Sequence, residues 1–293
     1  MTAITRSIRV SVLTPSFNQA RWLGDAIASV RAQTYPHIEH VVSDGGSTDG
    51  SLQLLTAAEG PNFVWESGPD RGQSDAINKA FARSSGEIIG WLNSDDAYFT
   101  RDVISRVVEV FEARPGVGMI YGHAARIDAD GNVLYVLWVP PAAARLLARG
   151  YNPIRQPAVF VRRSALGRED LVDTRFDYMM DRELWLHLSR RTRLLRLDAV
   201  MAVDRHHAQR KSWARRDLRA ADREMIRERY GIAVTAPHVL LRQGVALGLR
   251  LGGLLKVTDV ARGGDAIPTP RTAARHVAAR QLAHLQRLHP DGG

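Results

Sequence analysis

No cysteine occurs among the 293 residues, which excludes disulfides, thiolate metal sites and cysteine nucleophiles and fits a reducing compartment. A secretory leader is also missing: Met1 to Arg9 lacks an apolar core, so the expectation is a cytoplasmic protein. Long apolar runs are scarce. The strongest, Val239 to Val257, is broken by Arg242, Gln243, Arg250 and Lys256, and arginine is costly at a bilayer centre, so a spanning helix is not expected. Two readings stay open for it: an amphipathic helix on anionic lipid, at the inner face of the plasma membrane, or packing onto the domain or a second subunit. No zinc-finger spacing or aromatic-basic RNA motif is present, so nucleic acid is not an expected partner. Walker, Gly-x-Ser-x-Gly and His-Glu-x-x-His motifs are absent as well.

What is present is an ordinary globular composition, 45% hydrophobic and 24% charged, in a chain long enough for one large α/β domain with an appendage. The net charge of +9 is unevenly placed. Residues 205–293 hold 17 of the 40 Lys and Arg but 7 of the 31 Asp and Glu, which leaves the first 204 residues near neutral. Such a tail suits an anionic lipid or an anionic substrate.

Apolar runs and helical patterns alternate from the start. Strands are expected at Val10 to Leu13, Ile38 to Val42, Phe63 to Glu66, Ile88 to Leu92 and Met119 to Tyr121. Helices are expected at Ala20 to Gln33, Ser47 to Ala58, Ser74 to Arg83 and Thr100 to Arg114. Alternation of this kind implies a mostly parallel sheet covered on both faces, with ligands collecting at the carboxyl ends of its strands. Beyond residue 122 the pattern changes. Asp128 to Gly131 reads as a hairpin turn and lacks the later ligands of a calcium loop. Helices follow at Met179 to Arg190 and Trp213 to Tyr230. The division is a ligand-binding half over 1–122, a second half over 123–230, and a basic helical extension over 231–293.

The expected strand ends are chemically unusual. The first runs into Thr14-Pro15-Ser16-Phe17-Asn18, the second into Asp44-Gly45-Gly46-Ser47-Thr48-Asp49-Gly50, and the third into Glu66-Ser67-Gly68-Pro69-Asp70-Arg71-Gly72. The fourth runs into Asn93-Ser94-Asp95-Asp96. Adjacent carboxylates raise each other's pKa unless a cation offsets them, and a divalent metal carrying a polyphosphate is one such cation; the alternative is a loop opening before a helix. Asp44 either caps the next helix or accepts a hydrogen bond from a base or ribose. Asp75 and Lys79, one turn apart, form an ion pair or contact substrate.

These motifs, in this order over about residues 8–215, resemble the nucleotide-sugar-dependent glycosyltransferases of family 2, whose fold is called GT-A. The resemblance implies a GT-A-type, Rossmann-like sheet flanked by helices. Its implied activity is inverting transfer of a sugar from a nucleoside diphosphate, with a UDP-sugar favoured, to a hydroxyl acceptor. Mg²⁺ or Mn²⁺ would be required, and the setting would be synthesis of a cell-surface glycan or glycolipid. By it, Thr14, Pro15 and Asn18 line the base pocket, Asp44 reads the nucleobase edge, Asp95 approaches the ribose and Asp96 binds the metal. Glu66, Asp75, Lys79 and Asn93 join the donor site, although Asn93 stands where the family commonly has an acid. Phe176-Asp177-Tyr178-Met179-Met180-Asp181-Arg182-Glu183 matches the landmark that carries the general base, so Asp181 is the expected base and Glu183 its alternative. Gln156 lies on a strand that walls the sugar and acceptor site. His206 and Arg210 belong to a loop that closes over the diphosphate, as phosphate contacts or a metal ligand. A lipid-linked saccharide is the expected acceptor. The competing classes are a sugar-phosphate nucleotidyltransferase, which would want a glycine-rich basic loop after the first strand, and a non-catalytic protein of the same fold.

Overall fold

A computed structural model describes residues 7–208 and 216–232, without the side chains of 216–219. The segment Val239 to Val257, the extension beyond it and Arg210 lie outside the described residues.

The first half repeats strand and helix in the expected rhythm. Strand β1 (Val10–Ser16) is followed by helix α1 (Ala20–Arg31), β2 (Ile38–Asp44), α2 (Ser51–Ala57), β3 (Phe63–Ser67), α3 (Gln73–Arg83) and β4 (Ile88–Trp91). Then come β5 (Ala97–Tyr98), α4 (Val103–Ala113), β6 (Val117–Ile127) and β7 (Val133–Leu137). The remainder is α5 (Ala143–Ala148), a 3₁₀ turn (Gln156–Ala158), β8 (Val159–Arg162), α6 (Arg163–Leu166), α7 (Met180–Ser189), β9 (Arg193–Arg205) and α8 (Arg216–Tyr230). Helices α1 and α4 form because their apolar residues recur at helical spacing. Trp22, Leu23, Ala26, Ile27 and Val30 make the buried face of α1, and Val103, Ile104, Val107, Val108 and Phe111 that of α4.

One sheet collects the strands in the order β3-β2-β1-β4-β8-β6-β9-β5, with β7 pairing β6. From β3 to β4 all neighbours are parallel, with Ser16 beside Asp44 and Asp44 beside Ser67, so three carboxyl ends finish level with one another. Beyond β4 the sheet is mixed: β8 runs antiparallel to both β4 and β6, whereas β6 and β9 are parallel. The expected hairpin is present as the antiparallel pair β6 and β7.

Both faces of the sheet are buried, which is why these strands are apolar at nearly every position. Leu13, Ile89, Met119, Tyr121 and Val161 pack on one side with Ile77, Phe81 and Trp185. Their chain neighbours Val12, Ile88, Ile120 and Phe160 pack on the other with Val30, Ile104 and Phe111. At Gly90, a Cβ would fall 2.5 Å from the Tyr98 hydroxyl and 2.9 Å from the Phe160 ring, so β4 can enter between these rings only without a side chain.

Candidate active site

The strand ends open on a cleft of about 640 Å³. Pro15, Ser16 and Phe17 from the end of β1 line it, with Gly45 after β2, Asp70 and Gln73 around the start of α3, Asn93 and Asp95 after β4, and His207 after β9. Phe17 is 59% exposed there, an aromatic face that the fold leaves without a partner in the core.

The loop after β2 is held by its own polar groups. Asp44 is buried and accepts from the backbone N–H groups of Gly46 and Ser47 and from the hydroxyls of Ser47 and Ser67. Asn18, at φ 51°, clamps this loop to the end of β1. Its backbone N–H donates to Ser47 Oγ (2.7 Å), and its Oδ1 accepts from Thr48 N–H (2.9 Å). Gly45 lets Asp70 approach closely, because a Cβ there would lie 2.6 Å from Asp70 Oδ2 and would displace that side chain.

The acids after β4 have separate environments. Asp96 is 1% exposed; its Oδ1 accepts from the Arg205 backbone N–H at 3.1 Å and its Oδ2 from the Asn93 amide at 3.3 Å. Asp95 lines the cleft, and its Oδ2 lies 2.9 Å from His207 Nε2. The His207 ring packs against Trp22 at an interplanar angle of 38° with centroids 3.9 Å apart, and Arg205 Nε donates to the Asp95 carbonyl. Asn93 is the junction behind this pair. Its Oδ1 accepts from Trp91 Nε1 and Gln73 Nε2, and its amide also donates to Gln156 Oε1 (2.8 Å). A carboxylate at Asn93 could accept but not donate, so it would lose the bonds to Gln156 and Asp96.

Several expected site residues face elsewhere. Thr14 is buried, with its hydroxyl 2.9 Å from His40 Nε2 beneath the cleft floor. Glu66 pairs with Arg83 on α3. Asp75 is held by Arg71 and Lys79, and these partners pull its carboxyl down to about 2. Lys79 also donates to the Pro69 carbonyl. The ion-pair reading of Asp75 and Lys79 is therefore the observed one, and neither lines the cleft. His206 is turned toward Arg126, whose Nη1 lies 3.2 Å from its Nδ1, so of the two histidines it is His207 that reaches the cleft.

The segment that leads into α7 packs against the start of α3 beside the cleft. The Ser74 hydroxyl, next to Gln73 at the start of α3, donates to the Phe176 carbonyl at 2.8 Å. Asp222 accepts from the backbone N–H groups of Tyr178 and Met179, bracing the entry to α7. Asp181 stands in the first turn of that helix, where burial pushes its carboxyl above the ordinary carboxylate value. It is not among the cleft-lining residues. Glu183 does not suit the alternative role of base. It is buried, and its oxygens are taken by Arg168, Arg229 and the Tyr230 hydroxyl, so it serves as the anchor of a buried ion-pair network.

The sequence motifs gave no individual role to the cleft residues Phe17, Asp70 and Gln73, although Phe17 and Asp70 stand in the strand-end motifs quoted above. Phe17 was recognisable as an aromatic in a strand-end loop, whereas the choice of His207 over His206 depends on the direction of one side chain at the end of β9.

Among the described residues no three His, Asp or Glu side chains converge on one point. Asp95 and His207 together form a two-ligand set. Such a set fits a hard divalent ion that keeps most of its shell for phosphate oxygen and water, and an imidazole is acceptable to Mn²⁺.

Residues 11–166 match the family described as Glycosyl transferase family 2. An uncharacterized glycosyltransferase of Mycobacterium tuberculosis is 33% identical over 185 residues, covering 62% of this chain and 70% of its own. A putative teichuronic acid biosynthesis glycosyltransferase of Bacillus subtilis is 33% identical over 108 residues, 36% of this chain and 42% of that one. The mannosyltransferase PcManGT from Pyrobaculum calidifontis, solved with GDP-Man and Mn²⁺, has a similar fold at TM-score 0.60 and 19% identity, over 99% of this chain and 89% of that one.

Proposed function

Since the chain belongs to glycosyltransferase family 2, we propose that it is an inverting, metal-dependent enzyme that moves a sugar from a nucleoside diphosphate to an acceptor hydroxyl. The observation that carries this reading is the pairing across one cleft of an exposed aromatic face, Phe17, with the Asp95 and His207 pair. The aromatic suits a nucleobase by stacking. The acid and imidazole suit a divalent ion carrying the diphosphate. The acid assigned to the metal thereby moves from Asp96, whose oxygens are spent on Arg205 and Asn93, to Asp95. Asp70, beside Gly45, faces the base pocket in place of the buried Asp44.

Asp181 is the proposed general base. Its carboxylate takes the acceptor hydroxyl proton as that oxygen bonds to the anomeric carbon. The bond from this carbon to the diphosphate oxygen breaks with its electron pair leaving on the diphosphate. One displacement inverts the anomeric centre, by the logic of inverting glycosidases. A raised carboxyl pKa makes Asp181 a stronger base than a solvated aspartate. Mg²⁺ or Mn²⁺ held by Asp95 and His207 would supply the charge that stabilises the departing diphosphate. Asn93, Trp91 and Gln156 keep the loop carrying Asp95 in place.

The donor half is assigned to residues 1–122 and the acceptor half to 123–230. A UDP-sugar is favoured as donor: the Staphylococcus aureus protein TarS, of similar fold at TM-score 0.56 and 14% identity, covering 97% of this chain and 75% of that one, was solved with UDP-GlcNAc. Synthesis of a cell-surface glycan on a lipid-linked acceptor, at the cytoplasmic face of the membrane, is consistent with the basic tail and with the teichuronic acid biosynthesis for which the Bacillus relative is named. No helix among the described residues is long and apolar enough to cross a membrane. Nucleotidyl transfer draws no support here, because the end of β1 and the loop after it, Thr14 to Gln19, hold no glycine. The test is calorimetry with UDP-sugars and GDP-sugars, with and without Mn²⁺. Metal-dependent binding of one donor is expected, and the absence of any binding would refute the reading.

A further inference from the structure

Arg155 stands immediately before Gln156, the residue bonded to Asn93, and just after the loop that follows α5. Its guanidinium makes no hydrogen bond and no ion pair among the described residues, and its Nε is shut from solvent without a partner. Asp181, Asp204 and Arg126 all lie within electrostatic reach of its charge. The neighbouring cations are occupied. Arg126 pairs with Asp204 at 2.9 Å, and Arg182 donates to the Gly150 carbonyl at 3.0 Å. The phenols of Tyr151 and of Tyr135, the latter 50% exposed on β7, also lie within reach of the Arg155 charge.

The side chain is partly buried, with its Nε withdrawn from water without a hydrogen-bond partner, and burial pushes the guanidinium pKa down although Asp204 opposes the shift. Such a group is retained where an anion arrives to satisfy it, and its planar fork of donors matches a carboxylate or phosphate.

We infer that the acceptor carries an anionic group, a phosphate or a carboxylate, and that Arg155 receives it. This rests on the reading of Asp181 as the base, because that reading places Arg155 on the acceptor side of the reacting oxygen. The anion would hold the acceptor at a fixed distance from Asp181 while Tyr135 and Tyr151 offer hydroxyls to the sugar. A lipid-linked saccharide phosphate and a uronic-acid glycan both carry the required chemistry.

Methyl phosphate, methyl β-glucuronoside and methyl β-glucoside distinguish these sources when titrated calorimetrically into the full chain and into its Arg155→Gln and Arg155→Lys variants. Each titration is run with and without saturating UDP and Mn²⁺. The wild type is expected to bind at least one anion about tenfold more tightly than the neutral glucoside. Arg155→Gln should lose that preference with its UDP affinity unchanged, and Arg155→Lys should keep part of it, which separates loss of charge from misfolding. Preference for methyl phosphate indicates the lipid phosphate, and preference for the glucuronoside indicates the uronic acid. Equal affinity of wild type and Arg155→Gln for both anions overturns the inference. Failure of UDP to bind the wild type overturns the donor reading instead, and the anion titrations without UDP remain decisive for Arg155.

Discussion

The carboxylate of Asp95 and the imidazole of His207 meet at 2.9 Å although 112 residues of chain separate them. Asp95 lies in the loop after the fourth strand and His207 follows the ninth, and Arg205 pins the Asp95 loop, its backbone N–H donating to Asp96 and its Nε to the Asp95 carbonyl. This contact joins the two halves of the molecule at the mouth of the cleft.

From it follows a separation of the two acids. Asp95→Ala should abolish Mn²⁺-dependent donor binding and lower turnover by about a thousandfold while the protein still folds, at a stability cost of about 1 kcal/mol for leaving the His207 ring unpaired. Asp96→Ala should instead destabilise the fold by about 1–3 kcal/mol, the cost of stranding the buried Arg205 N–H. Metal titration and thermal melts of both variants check this. A stable Asp96→Ala protein that has lost its metal would return the ligand to Asp96.

Asp181→Asn should remove transfer but leave UDP affinity intact, and it should make the protein more stable at neutral pH. The sign follows from the raised carboxyl. In the window between the unfolded and folded values the native state holds the proton more tightly, so stability falls as pH rises through that window, and an amide has no such loss. The same shift moves the acid limb of the pH–rate profile above the ordinary carboxylate range. Urea melts at several pH values and a pH–rate profile measure both effects.

Glu183→Ala should behave in the opposite way. Removing this acid leaves Arg168 and Arg229 facing each other without their shared partner, a loss of about 3–5 kcal/mol. Any surviving folded protein should retain its donor affinity. Denaturant melts alongside calorimetry separate this from the loss of a base.

Phe17→Ala removes an exposed ring and should leave the melting temperature unchanged while weakening UDP binding roughly tenfold, within the 1–3 kcal/mol range for a base stacked on an aromatic. A wild-type UDP affinity in this variant would place the nucleobase elsewhere.

His40, buried beneath the cleft with its Nε2 on the Thr14 hydroxyl, has its pKa pushed down to about 3 by burial and by Arg31. The unfolded chain takes up this proton near pH 6.5 and the native state does not. Stability is therefore full above about 6.5 and falls as pH drops toward 3, by at most about 1.4 kcal/mol per pH unit. His40→Gln should flatten that part of the curve, as read by urea melts between pH 4 and 7.

Much of the fold was legible because the first half follows local rules. Helix spacing marked α1, α3 and α4, and uninterrupted apolar runs marked β1 to β4, so these ends fall within a few residues of those expected, whereas β6 runs on from the expected Tyr121 to Ile127. The parallel order stopped being legible at β4, where an antiparallel β8 intervenes. No local signal in Val159 to Arg162 specifies which neighbour that strand will take.

The site divides in the same way. The amino-acid sequence by itself determined the family, the cleft-forming loops and the polar residues supplied to them, because those properties reside in short contiguous motifs. Tertiary structure alone decided which members of each motif face the cleft. It sends Asp95 outward and Asp96 inward, gives His207 to the cleft and His206 to Arg126, and buries Glu183 between two arginines. Neighbours in a motif have the same local chemistry and differ only in direction. Direction is set by partners such as Arg205 and Arg229 that lie far away along the chain.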